Sequence, residues 1–151
     1  MKSEAASADA EDMVAIRALL EHSGLPTSDL DSARPDFTVI RKNGQVIAAG
    51  ALQRFGSSAL LRSVVVAPEH RETGLGLAIV GALEQLARTA HISQLILLTQ
   101  GAAEFFARQG YRVIERSSAP QEMQQSEEFR SLCPSSATCM AKALGVGRRP
   151  R

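Results

Sequence analysis

Apolar side chains recur every three or four residues in two segments of the chain, which is the spacing that gives a helix one apolar face. The first segment, 8–23, is followed by Gly24 and predicts an amphipathic helix that ends there. The second segment, 74–90, predicts a long helix packed on a sheet. The apolar positions are Met13, Ile16, Leu19 and Leu20 in the first stripe and Leu75, Ile79, Leu83, Leu86 and Ala87 in the second.

Shorter segments complete the predicted helices. Residues 102–109 are predicted to form one helix closed by Gly110, and residues 120–132 another. Residues 26–33 carry turn and capping residues, so we expect at most a short helix that forms a lip before Arg34-Pro35 forces an extended backbone.

Apolar, partly β-branched runs predict the strands. The runs 37–41 and 46–52 are joined by Asn43-Gly44, which supplies the positive φ angles of a tight antiparallel hairpin. The run 59–66 ends in successive valines and predicts a buried central strand that stops before Pro68. Further strands are predicted at 94–99, 111–116 and 137–144. The order α, β-β-β, α, β, α, β, α, β predicts an α/β (α+β) fold with helices flanking a mixed central sheet.

Length and composition fit one globular domain. The chain has 151 residues, of which 44% are apolar and 22% charged, and these values exclude a disordered, collagen-like or coiled-coil protein. We expect a single domain over 8–144, a disordered or frayed N-terminus over 1–7 and a basic flexible tail over 145–151.

The charge balance and aromatic content argue against a nucleic-acid partner. The net charge is +1, and three of the 17 basic residues lie in the tail, so the body of the chain is not basic. Five Phe, one Tyr and no Trp do not supply the repeated stacking platforms of a single-strand binder. The sequence also lacks an apolar run of the ~18 residues that a membrane span needs and a leader-like apolar segment in residues 1–12.

The two cysteines, Cys133 and Cys139, have no nearby histidine that would complete a zinc site. We therefore expect no metal, reduced thiols and a cytoplasmic location.

Candidate chemistry concentrates between residues 61 and 79, where a buried strand passes through a turn into a helix. The turn carries Arg71-x-x-Gly74-x-Gly76, and backbone amides at a helix N-terminus suit a pyrophosphate. An ordinary strand-to-helix turn is the alternative interpretation. The Gly-Lys-Ser/Thr of a P-loop is missing, and Ile79 stands where a dinucleotide fingerprint needs a glycine.

Two motifs resemble a known family. Arg71-x-x-Gly74-x-Gly76, after a strand that ends in Val66-x-Pro68, resembles the acetyl-CoA signature of the GNAT superfamily of N-acetyltransferases. Ala102-x-x-Phe105-Phe106-x-x-x-Gly110-Tyr111 resembles its second signature, and the resemblance runs over residues 10–144. The family's first strand should precede helix one, but residues 1–7 are not strand-like.

Within that superfamily the chain is most similar to the arsenic-resistance (ArsN-type) branch. The segments that carry this closer likeness are Gly24–Leu30, Leu60–Ser63, Ser131–Pro134 and Cys139-Met140.

The resemblance implies acetyl-CoA as cosubstrate, bound beside a splayed pair of central strands. It gives the Val64 backbone amide the role of stabilising the oxyanion of the transferring acetyl group. For Thr99, Ala103 and Phe106, which lie beyond the turn, ordinary strand and helix packing is the alternative interpretation. The implied cofactor-binding residues are Val64, Val65, Val66, Arg71, Glu72, Thr73, Gly74, Leu75, Gly76, Leu77, Thr99, Ala103 and Phe106.

No residue is assigned as general base or general acid. The base candidates all have surface, loop or capping alternatives, and they are Asp29, Asp31, Glu69, His22, His70 and His91. Many relatives carry a tyrosine acid where Phe106 stands. Tyr111, the only tyrosine, is expected to pack in the core. Ser63, Cys133 or water are then the remaining candidates for the general acid.

Arg62 is the main candidate for acceptor binding. Regular strand alternation would put it on one face with Val64 and Val66, where its guanidinium could bind a carboxylate, phosphinate or arsinate. An ion pair with a sheet neighbour is the alternative. Arg34 and Arg54 could contribute, and the cysteines are either arsenical ligands or small core residues.

These features predict an acetyl-CoA-dependent N-acetyltransferase for a small anionic amine, with a possible detoxification role. A catalytically silent acetyl-CoA-binding module and a peptide N-terminal acetyltransferase are the alternatives. The expected partner is a small-molecule amine, without nucleic acid or membrane, and a homodimer is left open.

Overall fold

The fold is taken from a computed structural model that describes residues 5–132 and 136–145. The helices are α1 (Asp12–His22), α2 (Leu30–Ala33), α3 (Leu75–Thr89), α4 (Ala103–Arg108) and α5 (Gln121–Gln124). The strands are β1 (Ala5–Ser7), β2 (Asp36–Lys42), β3 (Gln45–Phe55), β4 (Ser58–Val66), β5 (Gln94–Thr99), β6 (Arg112–Val113) and β7 (Thr138–Ala143). Single 3₁₀ turns lie at Pro68–His70 and Arg116–Ser118, and a π-helical turn at Glu128–Leu132.

The chain forms two compact units. The first takes in the chain up to Gln53 together with Leu61–Leu86, and the second takes in Arg54–Leu60 together with the chain from Ala87 onward. The strand β4 contributes residues to both units.

The first unit contains the strand order β1-β2-β3-β4. The antiparallel hairpin β2–β3 turns at Asn43 and Gly44, whose φ angles of 54° and 79° are positive, as the sequence predicted. The apolar stripe of α1 packs on this sheet. The buried members of that cluster are Ile16, Leu20, Leu30, Phe37, Val39, Ala49, Ala51 and Val65.

Gly50 marks the opposite face of the same sheet. A Cβ atom at this position would lie 2.7 Å from Cγ2 of Ile79 and 2.8 Å from Cδ1 of Leu83. Glycine therefore allows α3 to pack directly on the backbone of β3.

The second unit contains the order β4-β5-β7-β6. β4 pairs with β5 in parallel from Ser58 with Gln94 to Leu60 with Ile96, and β7 pairs antiparallel with β5 and with β6. Its core is formed by Leu60, Ile96, Ala119, Met123, Phe129, Cys139 and Ala141. The prediction of a mixed α/β fold with flanking helices is confirmed.

The expectation of a frayed N-terminus was wrong for Ala5–Ser7. These residues form β1, which pairs antiparallel with β2 from Ala5 with Ile40 to Ser7 with Thr38. All three are exposed, so the strand is held by backbone hydrogen bonds and leaves no apolar alternation in the sequence. Residues 1–4 and 146–151 lie outside the described residues, as does Cys133.

Two further elements are shorter than predicted. The strand expected at 111–116 is reduced to Arg112–Val113, which pair with Ala141 and Met140, and a 3₁₀ turn begins at Arg116. The helix expected at 120–132 is interrupted after Gln124. The Ser126 hydroxyl donates to the Met123 carbonyl at 2.6 Å and accepts from the Phe129 amide at 3.4 Å, which replaces helical hydrogen bonding there. Within the described residues no helix has the length and apolar character needed to cross a membrane.

Candidate functional site

β4 departs from regular strand geometry at Ser63, whose φ is +60°. The left-handed region costs a residue with a side chain about 1–2 kcal/mol, so it persists only where the surroundings impose it. Val64, the predicted oxyanion donor, follows immediately. A strand irregularity of this kind redirects the groups beside it.

The irregularity changes which side chains share a face of β4. Cγ2 of Val64 lies 3.4 Å from the position of a Cβ on Gly50, on the face that packs against α3. Val65 instead belongs to the cluster on the α1 face, which also contains Leu30. Arg62 bonds to Gln53, which follows Ala49 and Ala51 of that cluster in strand alternation along β3, so Arg62 shares the face of Val65. The prediction that Arg62 and Val64 share one face was wrong, because the left-handed Ser63 interrupts strand alternation.

Arg62 is enclosed by protein groups. Its Nη1 and Nη2 atoms donate to the two carboxylate oxygens of Asp29, each at 2.6 Å, and Nη1 also donates to Oε1 of Gln53 at 2.9 Å. The side chains of Arg62 and Asp29 are 1% and 2% exposed. The ion-pair alternative therefore describes Arg62, with Asp29 as its partner in place of a sheet neighbour, and contact of Arg62 with an acceptor stays a prediction.

The turn after β4 brings the predicted pyrophosphate-binding residues together. Glu72 and Gly74 have φ angles of +64° and +88°, and the Thr73 hydroxyl donates to the His70 carbonyl. Left-handed residues alternating with others turn successive amides toward one side, and the first-turn amides of α3 have no partner within the helix. A turn with this backbone is of the kind that can present N–H donors to an anion, and the binding role of residues 72–77 remains a prediction.

Arg71 has a structural task in this turn. Its Nε atom donates to the Val66 carbonyl at 3.2 Å and its Nη2 atom to the Ser23 hydroxyl at 3.0 Å. The side chain therefore ties the end of β4 to the end of α1. Its predicted role in holding the cofactor remains a prediction.

The candidates in the second unit lie around the start of α4. Oγ1 of Thr99 accepts from the Ala102 amide at 3.3 Å, next to Ala103. The Phe106 ring is buried and packs edge-on against Phe105 and Tyr111, with centroid distances of 5.0 and 5.5 Å. Tyr111 is buried as well, as the sequence predicted. These placements describe packing, and a role of Thr99, Ala103 and Phe106 beside the cofactor stays a prediction.

The remaining charged candidates lie on different elements and in different units. Arg34 belongs to the first unit and Arg54 to the second, and both are exposed. Among the acid-base candidates Asp31 bonds to Arg17 at 2.6 Å, Asp29 is enclosed in its ion pair, and the others lie on exposed or half-buried positions. The structure singles out no general base among them.

Cys139 is a buried free thiol. Removal from water raises its pKa, an effect that the nearby Arg116 charge partly offsets. A raised pKa leaves little thiolate at neutral pH, which is the opposite of an activated nucleophile. Within residues 5–132 and 136–145 no cluster of three or more His, Cys, Asp or Glu side chains could hold a metal ion.

Two features of this site were not predicted from the sequence. One is the left-handed conformation of Ser63, and the other is the pairing of Arg62 with Asp29 across 33 residues. No local pattern announces either feature. The only signal in the sequence is Asp29 itself, a candidate capping residue or a group that could face substrate.

Comparison with known proteins points to one family. Residues 33–113 match the model of the acetyltransferase (GNAT) domain. An amino-acid acetyltransferase of Aliivibrio fischeri (strain MJ11) is 30% identical over 103 residues, which are 67% of this chain and 23% of that protein. The chain therefore spans about a quarter of the length of the curated relatives that it matches.

Solved structures agree with this comparison. N-acetylglutamate synthase from Neisseria gonorrhoeae, in complex with coenzyme A and N-acetyl-glutamate, superposes with a TM-score of 0.82 at 20% identity, covering 95% of this chain and 35% of that one. Rv2747 from Mycobacterium tuberculosis, solved in complex with CoA, gives a TM-score of 0.81 at 28% identity and covers 93% of this chain and 99% of that one.

Proposed function

Because the chain belongs to the GNAT family of acetyltransferases, we propose that it transfers the acetyl group of acetyl-CoA to the amine of a small, amino-acid-like acceptor. The observation that carries the proposal is the turn from Glu72 to Gly74, with its two left-handed residues, directly before the first-turn amides of α3. Backbone amides at such a turn suit a pyrophosphate, and acetyl-CoA presents one, which supports the proposal.

Backbone groups of β4 supply the chemistry in this proposal. The Val64 amide follows the irregularity at Ser63 and donates to the thioester oxygen as negative charge develops on it. The amides of residues 72–77 hold the pyrophosphate, and Val65 and Val66 line the path of the pantetheine. The acceptor nitrogen forms a bond to the acetyl carbon, the carbon–sulfur bond breaks, and the amine loses a proton while the CoA thiolate gains one.

The acceptor class rests on relatives. The Aliivibrio fischeri protein is called an amino-acid acetyltransferase, and the Neisseria gonorrhoeae enzyme was solved with N-acetyl-glutamate. An amino acid carries an acidic group beside its amine, and so do the arsenical and phosphinate amino acids that the ArsN-type resemblance favours. Since Arg62 is neutralised by Asp29, we propose that exposed arginines such as Arg34 or Arg54 contribute to the binding of that acidic group.

A detoxification role is the finer form of this proposal. It would follow if the preferred acceptor were an arsenical or phosphinate amino acid whose amine is masked by acetylation. It is supported by the segments Gly24–Leu30 and Leu60–Ser63. The cytoplasmic location likewise remains a prediction from the sequence.

Thiol release from acetyl-CoA across an acceptor panel tests the proposal. The panel contains glutamate and other amino acids, a phosphinothricin-like amine, an arsenical amino acid and short peptides, and CoA binding is measured by calorimetry in parallel. We expect CoA binding and release with at least one amino acid. Binding without release on any amine would instead identify a silent module, and release with peptides alone would identify a peptide acetyltransferase.

A further inference from the structure

A single helical turn, α2, carries one of the exposed arginines that the proposed function assigns to the acceptor. The helix has four residues, which is too few to be stable in isolation. Arg34 follows it with a left-handed φ of 47°, and the Arg34 amide donates to the Leu30 carbonyl at 3.0 Å. The side chain of Arg34 is exposed. The direction in which it leaves the turn is therefore set by how α2 itself is held.

Asp29 holds this turn through both its backbone and its side chain. Its carbonyl oxygen accepts from the Ser32 amide at 3.2 Å, the Ala33 amide at 2.8 Å and the Ser32 hydroxyl at 3.1 Å. An aspartate before the first residue of a helix usually caps the helix with its carboxylate. In the described part of the chain the Asp29 side chain makes no such capping bond. Both carboxylate oxygens accept from Arg62 of β4 instead, so the side chain joins the turn to the sheet.

Three side-chain contacts attach the turn to the first unit, and they differ in burial. Leu30 lies in the apolar cluster beneath α1. Asp31 is 94% exposed and accepts from Arg17 at 2.6 Å, and an ion pair in water contributes little. Arg62 and Asp29 are only 1% and 2% exposed. The buried pair is the attachment that fixes direction as well as distance, because its two hydrogen bonds are parallel.

We propose that the buried Arg62–Asp29 pair fixes the turn that presents Arg34 to the acidic group of the acceptor. Arg62 and Asp29 are positioning residues in this account, and Arg34 determines the specificity for an acidic acceptor. The inference rests on the proposed function. Arg62 is fixed on the side of the sheet as well, since its Nη1 atom also donates to Gln53 of β3 at 2.9 Å.

The cost of separating the pair explains why it holds the turn. If α2 moved away, Arg62 and Asp29 would each lose the partner that compensates a buried charge, which is strongly unfavourable. An arginine on an ordered turn loses less conformational entropy when the acceptor binds than one on a mobile turn. The pair should therefore act on the KM for the acceptor and leave the chemical step unchanged.

Hydrogen exchange tests the attachment without any activity. Arg62→Met combined with Asp29→Leu replaces the pair by apolar side chains, a change that buried pairs tolerate, so the double variant should fold. The amides of Ala33 and Arg34 should then exchange about tenfold faster, because they are protected only while the turn is closed. Arg17→Met removes the exposed arginine bond to the same turn and is the matched control.

The control should change this exchange by less than about twofold. Arg62→Lys keeps the charge without the planar fork and should give an intermediate rate, which also tests the proposal if the double variant does not fold. Parental exchange in a folded double variant or in Arg62→Lys, or an equally large change in the control, would overturn the proposal.

A double-mutant cycle tests the consequence for the acceptor. Arg34→Ala should raise the KM for an acidic amine about tenfold, with kcat and the Kd for CoA at parental values. The Arg62→Met, Asp29→Leu variant should raise this KM about two- to tenfold. If the pair acts through Arg34, Arg34→Ala has a much smaller effect in that variant than in the parent. Fully additive effects would overturn the proposal.

Calorimetry with glutamate on the CoA-loaded protein separates this proposal from the acetyl transfer itself. Glutamate binding that weakens in both Arg34→Ala and the double variant, in a protein that turns over no amine, would refute the transfer and support the positioning of Arg34. Glutamate turnover with a KM that is parental in Arg34→Ala would support the transfer and overturn the role of Arg34.

Discussion

Arg41 of β2 forms a bidentate ion pair with Asp12 in the first turn of α1. Its Nη2 atom donates to Oδ2 at 2.5 Å and its Nε atom donates to Oδ1 at 3.3 Å. Asp12 also accepts from the Asp9 amide at 2.8 Å, while the Asp12 amide donates to the Asp9 carboxylate at 3.1 Å. The Asp9 carboxylate thus accepts from the first amide of α1, and the Asp12 carboxylate joins the helix to the sheet. This attachment fixes the N-terminus of α1, whose apolar stripe forms one side of the first core.

Stability should depend on the ionisation of Asp12. The hydrogen bond from Arg41 holds the pKa of Asp12 below its ordinary value. The folded state thus favours the carboxylate, so its contribution is complete above the unfolded pKa, about 3.9, and is lost as pH falls through the lower folded pKa. We expect Asp12→Asn to lower Tm at pH 7, with the difference from the parent shrinking below about pH 4.

Thermal melts between pH 7 and pH 3 measure this effect. Glu21→Gln, on an exposed position of the same helix, is the control and should change Tm little. A difference between Asp12→Asn and the parent that stayed constant down to pH 3 would show that the carboxylate charge is not responsible.

Gly50→Ala tests the close approach of α3 to β3. The added methyl group would lie 2.7 Å from Ile79 and 2.8 Å from Leu83, well inside van der Waals contact. Overpacking of this kind costs about 1–3 kcal/mol, which should lower Tm by several degrees. Gly81→Ala in α3 is the control. A Cβ atom at Gly81 would have no neighbour within 4 Å, so this substitution should raise stability slightly. Equal melting temperatures for Gly50→Ala and the parent would contradict the packing.

The regular elements were predictable because each leaves a periodic trace. The apolar stripe with Ile16 and Leu20 predicted α1, and the stripe with Ile79 and Leu83 predicted α3. The Asn43-Gly44 turn predicted the β2–β3 hairpin. β1 left no such trace, since its three exposed residues contribute only backbone groups to the sheet. Hydrophobic periodicity reflects which side chains are buried. An edge strand held only by its backbone hydrogen bonds buries no side chain and therefore shows no periodicity.

The candidate site was predictable only in part. The glycine turn could be located because Gly74 adopts a conformation that few other residues tolerate. The face of β4 that Arg62 shares with the valines could not be predicted. It depends on Ser63, which has an uncommon conformation, and on Asp29, which lies 33 residues away in the chain. Both belong to tertiary structure, where a single irregular residue inverts every inference drawn from alternation.

Gly74→Val should weaken CoA binding while the fold survives. Gly74 has a φ of +88° and open surroundings, so the substitution acts through the backbone and not through a clash. A β-branched residue disfavours this conformation, and the amides around the turn would point elsewhere. We expect the Kd for CoA to rise at least tenfold by calorimetry, a change of about 1.4 kcal/mol.

Gly81→Ala is again the matched control, because it lies later in α3 and away from the turn. Its CoA affinity should equal that of the parent. Unchanged affinity in a folded Gly74→Val protein would remove the turn from the proposed cofactor site.

Transfer should proceed directly from acetyl-CoA to the amine, without an acetylated enzyme. The described cysteine, Cys139, is buried, and burial raises its pKa, so little of the reactive thiolate exists at neutral pH. Incubation with acetyl-CoA alone should therefore leave the intact mass unchanged, and Cys139→Ala should retain thiol release with an accepted amine. The same burial should make Cys139 slow to react with iodoacetamide until the protein is unfolded. A stoichiometric acetyl adduct on a cysteine, found by peptide mass spectrometry, would establish a covalent route instead and would require a base able to activate that thiol.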